Sequence, residues 1–292
     1  MPLSPMMVQY MQIKEKYNDC ILFYRLGDFY EMFFSDAELA SKELDLTLTG
    51  RDCGLAERAP MCGVPYHACE SYINKLIMKG YKVAICEQTS DPAQSKGLVK
   101  REIVRVITPG TVIDSEFVDQ TKNNYIAAFY QGEKGSAVAF ADLATGQIHV
   151  FLPNHPDRDT VNSELYKYSP SEMLFSFSPD EQTVRFVRDR LHCMISSADE
   201  SAFSPAAAKE TVARHFAATP RALEQLLGKD AAVCCLGGLL SYLYTTQFSR
   251  LEHLVRLEIY NETRHLELDI SARRNLELCA TMRDKKKHGS LL

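Results

Sequence analysis

The sequence predicts an α/β protein with more than one domain. Its 292 residues exceed what one hydrophobic core usually organises, and its hydrophobic (46%) and charged (24%) fractions are those of an ordinary globular protein. Strand-like and helical runs alternate in the first part of the chain, which is the pattern of a mixed α/β domain. From residue 124, three closely spaced strand-like runs precede further helices and short strands. We therefore expect two α/β domains in succession.

The elements of the first domain follow from capping residues and periodicity. Ser4 is typical of the position before a helix, because its hydroxyl can accept a hydrogen bond from a free backbone N–H. The aromatic-rich apolar run at 20–26 predicts a buried strand. Ser35 and Glu38 have the spacing of a capping box, which predicts a helix from there to about Leu44.

The rest of the first domain continues the alternation. The predicted strands lie at 44–49, 81–86 and 102–107, and the predicted helix lies at 67–79. The acidic and weakly patterned stretch that follows predicts a linker. We therefore place the first domain at 1–110 and the linker at 111–123.

The second domain, placed at 124–253, begins with an antiparallel meander. Its three strand-like runs, joined by turns that contain glycine, lie at 125–130, 136–142 and 146–152. Helices and short strands follow, and the apolar run at 231–248 predicts a buried helix. Three hairpin-linked strands followed by βα units are similar to an RNase H-like fold.

After residue 253 the sequence predicts short strands at 254–260 and 265–268, and then a helix at 273–283. The last residues follow that helical pattern without a cap, which is typical of a chain that continues in a longer protein.

The composition also narrows the class of protein. No apolar run approaches the roughly 18 residues that span a bilayer. The first residues have neither the basic nor the apolar segment of a secretory signal. Nine cysteines, none of them in a CxxC or Cys/His cluster, indicate reduced thiols and not a zinc site or disulfides. These features predict a cytoplasmic protein without a metal site.

The charge is unevenly distributed. A net charge of −5 argues against a protein that coats nucleic acid through bulk charge. Between residues 75 and 105, however, basic side chains outnumber acidic ones. The basic residues are Lys75, Lys79, Lys82, Lys96, Lys100, Arg101 and Arg105. A local basic strip on an acidic chain fits a face that contacts phosphates, although an ordinary solvated loop has the same composition.

The most informative stretch lies at the end of the first predicted strand. Gly27 and Asp28 are turn-prone, and Phe29 and Glu31 follow two positions apart. On an extended backbone these two side chains point the same way. An apolar ring beside a carboxylate at the mouth of a turn suits a base-stacking wedge with a polar reader. A buried Phe beside a solvated Glu is the commoner arrangement.

The segment at 27–33, GDFYEMF, resembles the mismatch-recognition motif of the MutS family of DNA mismatch-repair proteins. Further segments resemble family motifs in the family's order, and together they run across nearly the whole chain. They lie at 5–10, 61–68, 84–88, 106–111 and 271–278.

The resemblance implies a fold and a function. It implies a mismatch-recognition domain, an RNase H-like connector domain and, at 254–292, the start of an all-α core domain. It also implies DNA mismatch recognition by a homodimer in which one subunit inserts its Phe29, with Glu31 contacting the base, and a MutL-type partner. ATP and Mg²⁺ would bind in a part of the family's chain beyond residue 292. This chain has no Walker A sequence and no predicted catalytic residue, so we expect a binding module.

The expected mechanism depends on how easily the duplex deforms. A mispaired step is already poorly stacked, so inserting the Phe29 ring from the minor groove costs less there than in matched DNA. Phosphates repel the charge of Glu31, which penalises binding to undistorted duplex. The same repulsion favours the protonated form, which can donate a hydrogen bond to a base.

The candidates for contacts with the DNA backbone are basic side chains. They are Lys96, Lys100, Arg101, Arg105 and His67. His67 also suits a structural position at the start of a helix, after Pro65.

Two other functions remain open from the residues alone. Asp142 could belong to a Mg²⁺- or Mn²⁺-dependent nuclease of the RNase H type if Glu172, Asp180 or Glu181 converged with it. An Asp before Thr-Gly is also typical of a hairpin turn. The second alternative is a protein-interaction scaffold without affinity for DNA.

Overall fold

The computed structural model describes residues 3–54, 57–89, 99–112, 123–133, 135–248 and 251–262, with a few isolated residues after them (272, 275–278, 281 and 291). The chain divides into two compact units, Met1–Lys122 with Leu243–Leu251 and Asn123–Tyr242 with Glu252–Leu292. A mixed six-stranded sheet forms each unit, which confirms the predicted α/β class. The domain boundaries drawn from the sequence stay predictions.

The first unit contains a sheet with the order β3-β4-β2-β1-β5-β6. The strands are β1 Cys20–Leu26, β2 Phe29–Phe33, β3 Thr49–Arg51, β4 Ala59–Pro65, β5 Lys82–Gln88 and β6 Arg101–Ile107. The helices are α1 Pro5–Lys16, α2 Phe34–Leu44 and α3 Cys69–Met78, with 3-10 turns at Tyr66–Ala68 and Pro109–Thr111. Strands β1 and β5 are parallel, and the other neighbours are antiparallel.

The central strand β1 is buried on both faces, which explains its nearly continuous apolar sequence. On one face Phe23 packs with the buried residues of β2, α2 and α3. On the other face Leu22 and Tyr24 pack with Met7 and Tyr10 of α1. The β1–β2 hairpin is therefore anchored by a core on each side of the sheet.

The start of α2 differs from the prediction. The helix begins at Phe34 and has no side-chain cap, so the capping box predicted at Ser35 and Glu38 is wrong. The acidic residue of the first turn, Asp36, is buried, and its side chain bonds β1 and α1 without capping the helix. Its carboxylate accepts a hydrogen bond from the Leu22 N–H (3.0 Å) and pairs with Lys14 (2.8 Å).

The end of α2 differs as well. Asp45 follows the helix in the left-handed conformation, with φ of 56°. Only Thr49–Arg51 then forms a strand, so the strand predicted at 44–49 is wrong over most of its length. The alternation of apolar and hydroxyl residues there reflects an irregular connection to β3.

The second unit contains a sheet with the order β11-β10-β7-β8-β9-β12. The strands are β7 Tyr125–Gly132, β8 Gly135–Asp142, β9 Gln147–Phe151, β10 Glu172–Phe175, β11 Met194–Ile195 and β12 Arg256–Tyr260. The first three form the predicted antiparallel meander, and β10 and β11 extend the sheet in parallel from β7. This is the RNase H-like arrangement expected from the sequence.

The helices of the second unit include the buried helix predicted at 231–248. They are α4 Arg158–Tyr168, α5 Glu181–Arg185, α6 Pro205–His215, α7 Pro220–Leu226 and α8 Asp230–Gln247, of which α8 belongs to this unit as far as Tyr242. No helix in the described parts of the chain is both long and apolar enough to cross a membrane.

The chain after residue 253 begins with a strand. The strand predicted at 254–260 is present as β12, which pairs in parallel with β9. The strand predicted at 265–268 lies outside the described residues, as does most of the helix predicted at 273–283.

Two consecutive glycines allow α8 to pack closely on its neighbours. A Cβ on Gly237 would lie 2.4 Å from the Cα of Ala208 in α6, and one on Gly238 would lie 2.3 Å from the Phe203 ring. Both distances are far shorter than van der Waals contact, so side chains here would force the helices apart.

We expect Gly237→Ala to lower the free energy of unfolding by about 2 kcal/mol. Alanine gains about 1 kcal/mol of helix propensity, but overpacking against a backbone atom costs more. Denaturant unfolding of the variant measures the change. Ser241→Ala, on the same helix, is the control and should leave stability unchanged or slightly raised. A more stable Gly237→Ala variant would contradict the close approach of α8 and α6.

Candidate nucleic-acid interface

The hairpin between β1 and β2 positions the candidate site. Leu26 pairs with Phe29 across a two-residue connection, Gly27-Asp28. Gly27 has a φ of 58°, in the left-handed region that favours glycine. The Tyr66 N–H donates a hydrogen bond to the Asp28 carbonyl (2.9 Å), which ties this turn to the end of β4.

The ring of Phe29 is exposed. It is the first residue of β2 and retains 47% of its accessible surface, whereas the next residue, Tyr30, is buried. The commoner arrangement considered from the sequence, a buried Phe29, is therefore wrong. A large apolar ring is available to a partner at the end of the hairpin.

The side chain of Glu31 lies on the same face of β2 as Phe29. The residues between and after them, Tyr30 and Met32, point into the core on the opposite face. The Glu31 side chain is half-buried and bonds to Arg51 through the Nη1 and Oε2 atoms. Its cross-strand partner is Gly63, which has no side chain to fill the same space.

A network beneath the turn holds it in place. The Arg25 guanidinium stacks on the Tyr66 ring, 3.8 Å from the ring centroid, and its Nε donates to the Gly27 carbonyl (2.5 Å). Its Nη1 lies 3.7 Å from the Glu87 carboxylate, which also accepts a hydrogen bond from the Tyr30 hydroxyl. Burial raises the pKa of Tyr30 above its ordinary value, and the hydrogen bond to the Glu87 carboxylate raises it further. Tyr30 therefore remains a neutral hydrogen-bond donor.

The candidate backbone contacts occupy different environments. The Lys100 side chain is exposed and pairs with Glu102 (2.7 Å). Arg101 is buried, and its donors reach the carbonyls of Arg25 (2.8 Å) and Val99 (3.1 Å). Its guanidinium therefore ties the ends of β1 and β6 together next to the turn.

The remaining candidates are more scattered. Arg105 is half-buried and donates to the Gln247 side chain (3.0 Å) and the Thr111 carbonyl (3.2 Å). His67 is exposed in the 3-10 turn after β4, two residues beyond Pro65, the cross-strand partner of Phe29. Lys96 lies outside the described residues. A role for each of these side chains in DNA contact stays a prediction.

Several residues that shape the site give no signal in the sequence. Arg51, Arg25 and Glu87 each contact residues that are distant in the sequence, so local patterns do not reveal them. The one local signal was the pair of glycines at 50 and 63, which mark close approach in strands.

The carboxylates considered for a nuclease have separate structural partners. Asp142 is buried and its Oδ1 accepts from the backbone N–H groups of Ala144 (2.9 Å) and Thr145 (3.4 Å), as a hairpin residue does. Glu172 accepts from Ser196 (2.5 Å) and Tyr242 (2.6 Å). Asp180 forms an ion pair with Arg158, and Glu181 forms one with Arg185. The described residues contain no group of three His, Cys, Asp or Glu side chains that could hold a metal ion.

The fold and the site define a class of protein. It has tandem mixed α/β domains, the first with an exposed aromatic ring on a hairpin and the second with an RNase H-like sheet. The family model "MutS domain I" matches residues 4–116, and "MutS domain II" matches residues 124–255. The chain belongs to the MutS family.

Curated relatives match the chain over its whole length. It is 46% identical to the DNA mismatch repair protein MutS of Clostridium tetani, over 100% of this chain and 32% of the relative. It is 48% identical to the protein of the same name from Acetivibrio thermocellus, over 99% of this chain and 33% of the relative. The chain thus spans about a third of the length of these relatives.

The turn that presents Phe29 has a testable conformational requirement. We expect Gly27→Ala to lower the free energy of unfolding by about 1–2 kcal/mol, because a residue with a Cβ is strained in the left-handed region. No atom lies within 4 Å of the Cβ position, so the cost is purely conformational. Gly27→Asn is the matched control and should cost less, since Asn tolerates this conformation. Equal stability of all three chains in urea unfolding would show that the turn does not need glycine.

Proposed function

We propose that this chain recognises mispaired or unpaired bases in duplex DNA, as part of DNA mismatch repair. The observation that carries the proposal is the exposed Phe29 ring at the end of a rigid hairpin, with the Glu31 carboxylate on the same face. The names of the curated relatives support the repair role.

The Phe29 ring acts as a wedge in this proposal. It enters the minor groove, stacks at a poorly stacked step and kinks the duplex there. A matched duplex resists the same deformation, because its steps are fully stacked. Selectivity then comes from deformability, which allows one site to accept many different mismatches. The hydrogen bonds and stacking around Arg25 hold the turn, so little conformational freedom is lost on binding.

Glu31 has two roles in the proposal. Its carboxyl group contacts the base that Phe29 displaces, because both side chains lie on one face of β2. Its negative charge also weakens binding to undistorted duplex, where no base contact compensates for repulsion by the phosphates.

Basic side chains hold the duplex without reading its sequence. Lys100 is exposed and is the first candidate, and Arg105, His67 and Lys96 complete the proposed set. Arg101 supports the turn from within the sheet.

The remaining proposals concern a longer protein of the relatives' length, of which this chain would be one part. We propose that it is a cytoplasmic homodimer that uses ATP and Mg²⁺ and binds a MutL-type partner. In that setting the present chain is a binding module without an enzymatic activity of its own.

We expect Phe29→Ala to weaken binding to mismatched duplex by roughly 1–3 kcal/mol, the contribution of stacking between a base and an aromatic ring. Binding to matched duplex should change little, because phosphate contacts maintain it. Fluorescence anisotropy with paired duplexes that differ at one base measures both affinities. Phe29→Tyr keeps the ring and should be milder. Met78→Ala, which shortens another exposed apolar side chain of the first unit, should change neither affinity.

A loss of equal size on both duplexes after Phe29→Ala would count against the wedge. The ring would then contribute to general binding or to packing, and the proposed function would lose its main support.

Glu31→Gln should lower selectivity by raising the affinity for matched duplex. The substitution removes the charge that opposes matched duplex, and the Gln amide can donate a hydrogen bond to a base as the protonated acid would. Affinity for matched duplex should therefore rise while affinity for mismatched duplex changes less. The same titrations measure this, and an unchanged affinity for matched duplex would show that the charge does not oppose binding.

The binding of the chain alone should be weak and strongly dependent on salt. Two recognition domains cannot embrace one duplex without the segments that would join them, so avidity is lost. Lys100→Ala should reduce the slope of log K against log salt by about 1, the release of one counterion. Tight, mismatch-selective binding by a demonstrated monomer at physiological salt would contradict the proposed need for a dimer.

A further inference from the structure

We infer that Arg51 is a positioning residue for Glu31, and that it thereby sets how strongly the chain distinguishes mismatched from matched duplex. The inference rests on the proposed function, and it assigns a role to a residue outside the recognition motif at 27–33.

Arg51 reaches Glu31 along the face of the sheet. It is the last residue of the edge strand β3 and pairs with Ala59, whereas Glu31 pairs with Gly63 farther along β4. Its side chain therefore extends along the strands to bond Glu31. On the way the guanidinium covers the Phe33 ring, with Cζ 6.0 Å from the ring centroid. This route places a long side chain in one defined conformation.

Gly63 confines the carboxylate from the other side. A Cβ on Gly63 would lie 3.4 Å from Cγ of Glu31 and 3.2 Å from the Tyr30 carbonyl oxygen. The tighter of the two contacts would be with the Tyr30 backbone, and the Glu31 side chain lies directly beside the Cβ position. It lies between the bare backbone of β4 and the Arg51 guanidinium.

The electrostatics of the pair favour an ordered carboxylate. The Glu31 side chain is 17% exposed and that of Arg51 is 38% exposed, so the acid is the more buried partner. Among the described residues, Arg51 is the one side chain that bonds the Glu31 carboxylate. The guanidinium engages Oε2, which leaves Oε1 to face a base.

The guanidinium also distinguishes Arg51 from a simple positive charge. It lies over the Phe33 ring and directs one donor, Nη1, at Oε2 of Glu31, whereas a lysine ammonium supplies the same charge without a fixed direction. If Arg51 acts by orienting Glu31, lysine cannot replace it. If Arg51 acts only by cancelling charge, lysine can.

The decisive variant is therefore Arg51→Lys, titrated against matched and mismatched duplexes at low ionic strength. We expect its affinity for matched duplex to stay unchanged, because the net charge is the same. The ratio of mismatched to matched affinity should fall about two- to fivefold, the range of a partly exposed ion pair. In a Glu31→Ala background, Arg51→Lys should have no further effect on this ratio.

Two controls make the result specific. Arg51→Met keeps an apolar stem over Phe33 and removes the charge, so it should lower the affinity for both duplexes as well as their ratio. Thermal unfolding of each variant tests whether the edge strand survives, and Arg51→Lys with unchanged stability is the variant on which the conclusion depends.

The outcomes separate this inference from the proposed function. The positioning role is overturned if Arg51→Lys has the same ratio of mismatched to matched affinity as the unsubstituted chain. It is also overturned if Arg51→Lys lowers this ratio equally in the presence and in the absence of the Glu31 side chain. If Phe29→Ala still lowers the ratio in that case, the proposed function stands. If Phe29→Ala leaves the ratio unchanged, the proposed function fails, and the role of Arg51 fails with it.

Discussion

The pairing register of β1 and β2 is the constraint on which the site depends. Leu26 opposite Phe29, with left-handed Gly27 between them, directs Phe29 and Glu31 to one face of the strand and Tyr30 and Met32 into the core. Because side chains alternate along a strand, a slip of one residue would bury the wedge and expose the core. The apolar residues of β1, buried on both faces, make that slip costly. The packing of the sheet therefore maintains the chemistry of its exposed end.

The support around the hairpin is polar and comes from distant parts of the chain. Arg25 holds the turn through the Gly27 carbonyl and the Tyr66 ring, and Arg101 holds the Arg25 carbonyl from β6. A partly exposed turn on its own would sample many conformations and lose them on binding. These contacts fix it beforehand, so the energy of stacking is available for deforming the duplex.

The sequence predicted those parts of the structure that local rules govern. The alternation of side chains placed Phe29 and Glu31 on one face, and turn residues marked the meander of the second sheet. The capping box at Ser35 failed because α2 begins one residue earlier, at Phe34, so that Ser35 lies within the helix, while the Asp36 carboxylate bonds Lys14 and the Leu22 N–H. The bond between Arg51 and Glu31 was not predictable, since it joins residues from two strands whose register only the folded sheet defines.

The short edge strand β3 has a consequence for solubility. An edge strand exposes unpaired backbone groups that can recruit a strand from another molecule and begin aggregation. This edge is three residues long and ends in an arginine, two features by which natural sheets resist such recruitment. Evolution toward a longer or more apolar β3 would therefore be opposed twice, by the loss of a residue at the site and by self-association of the sheet.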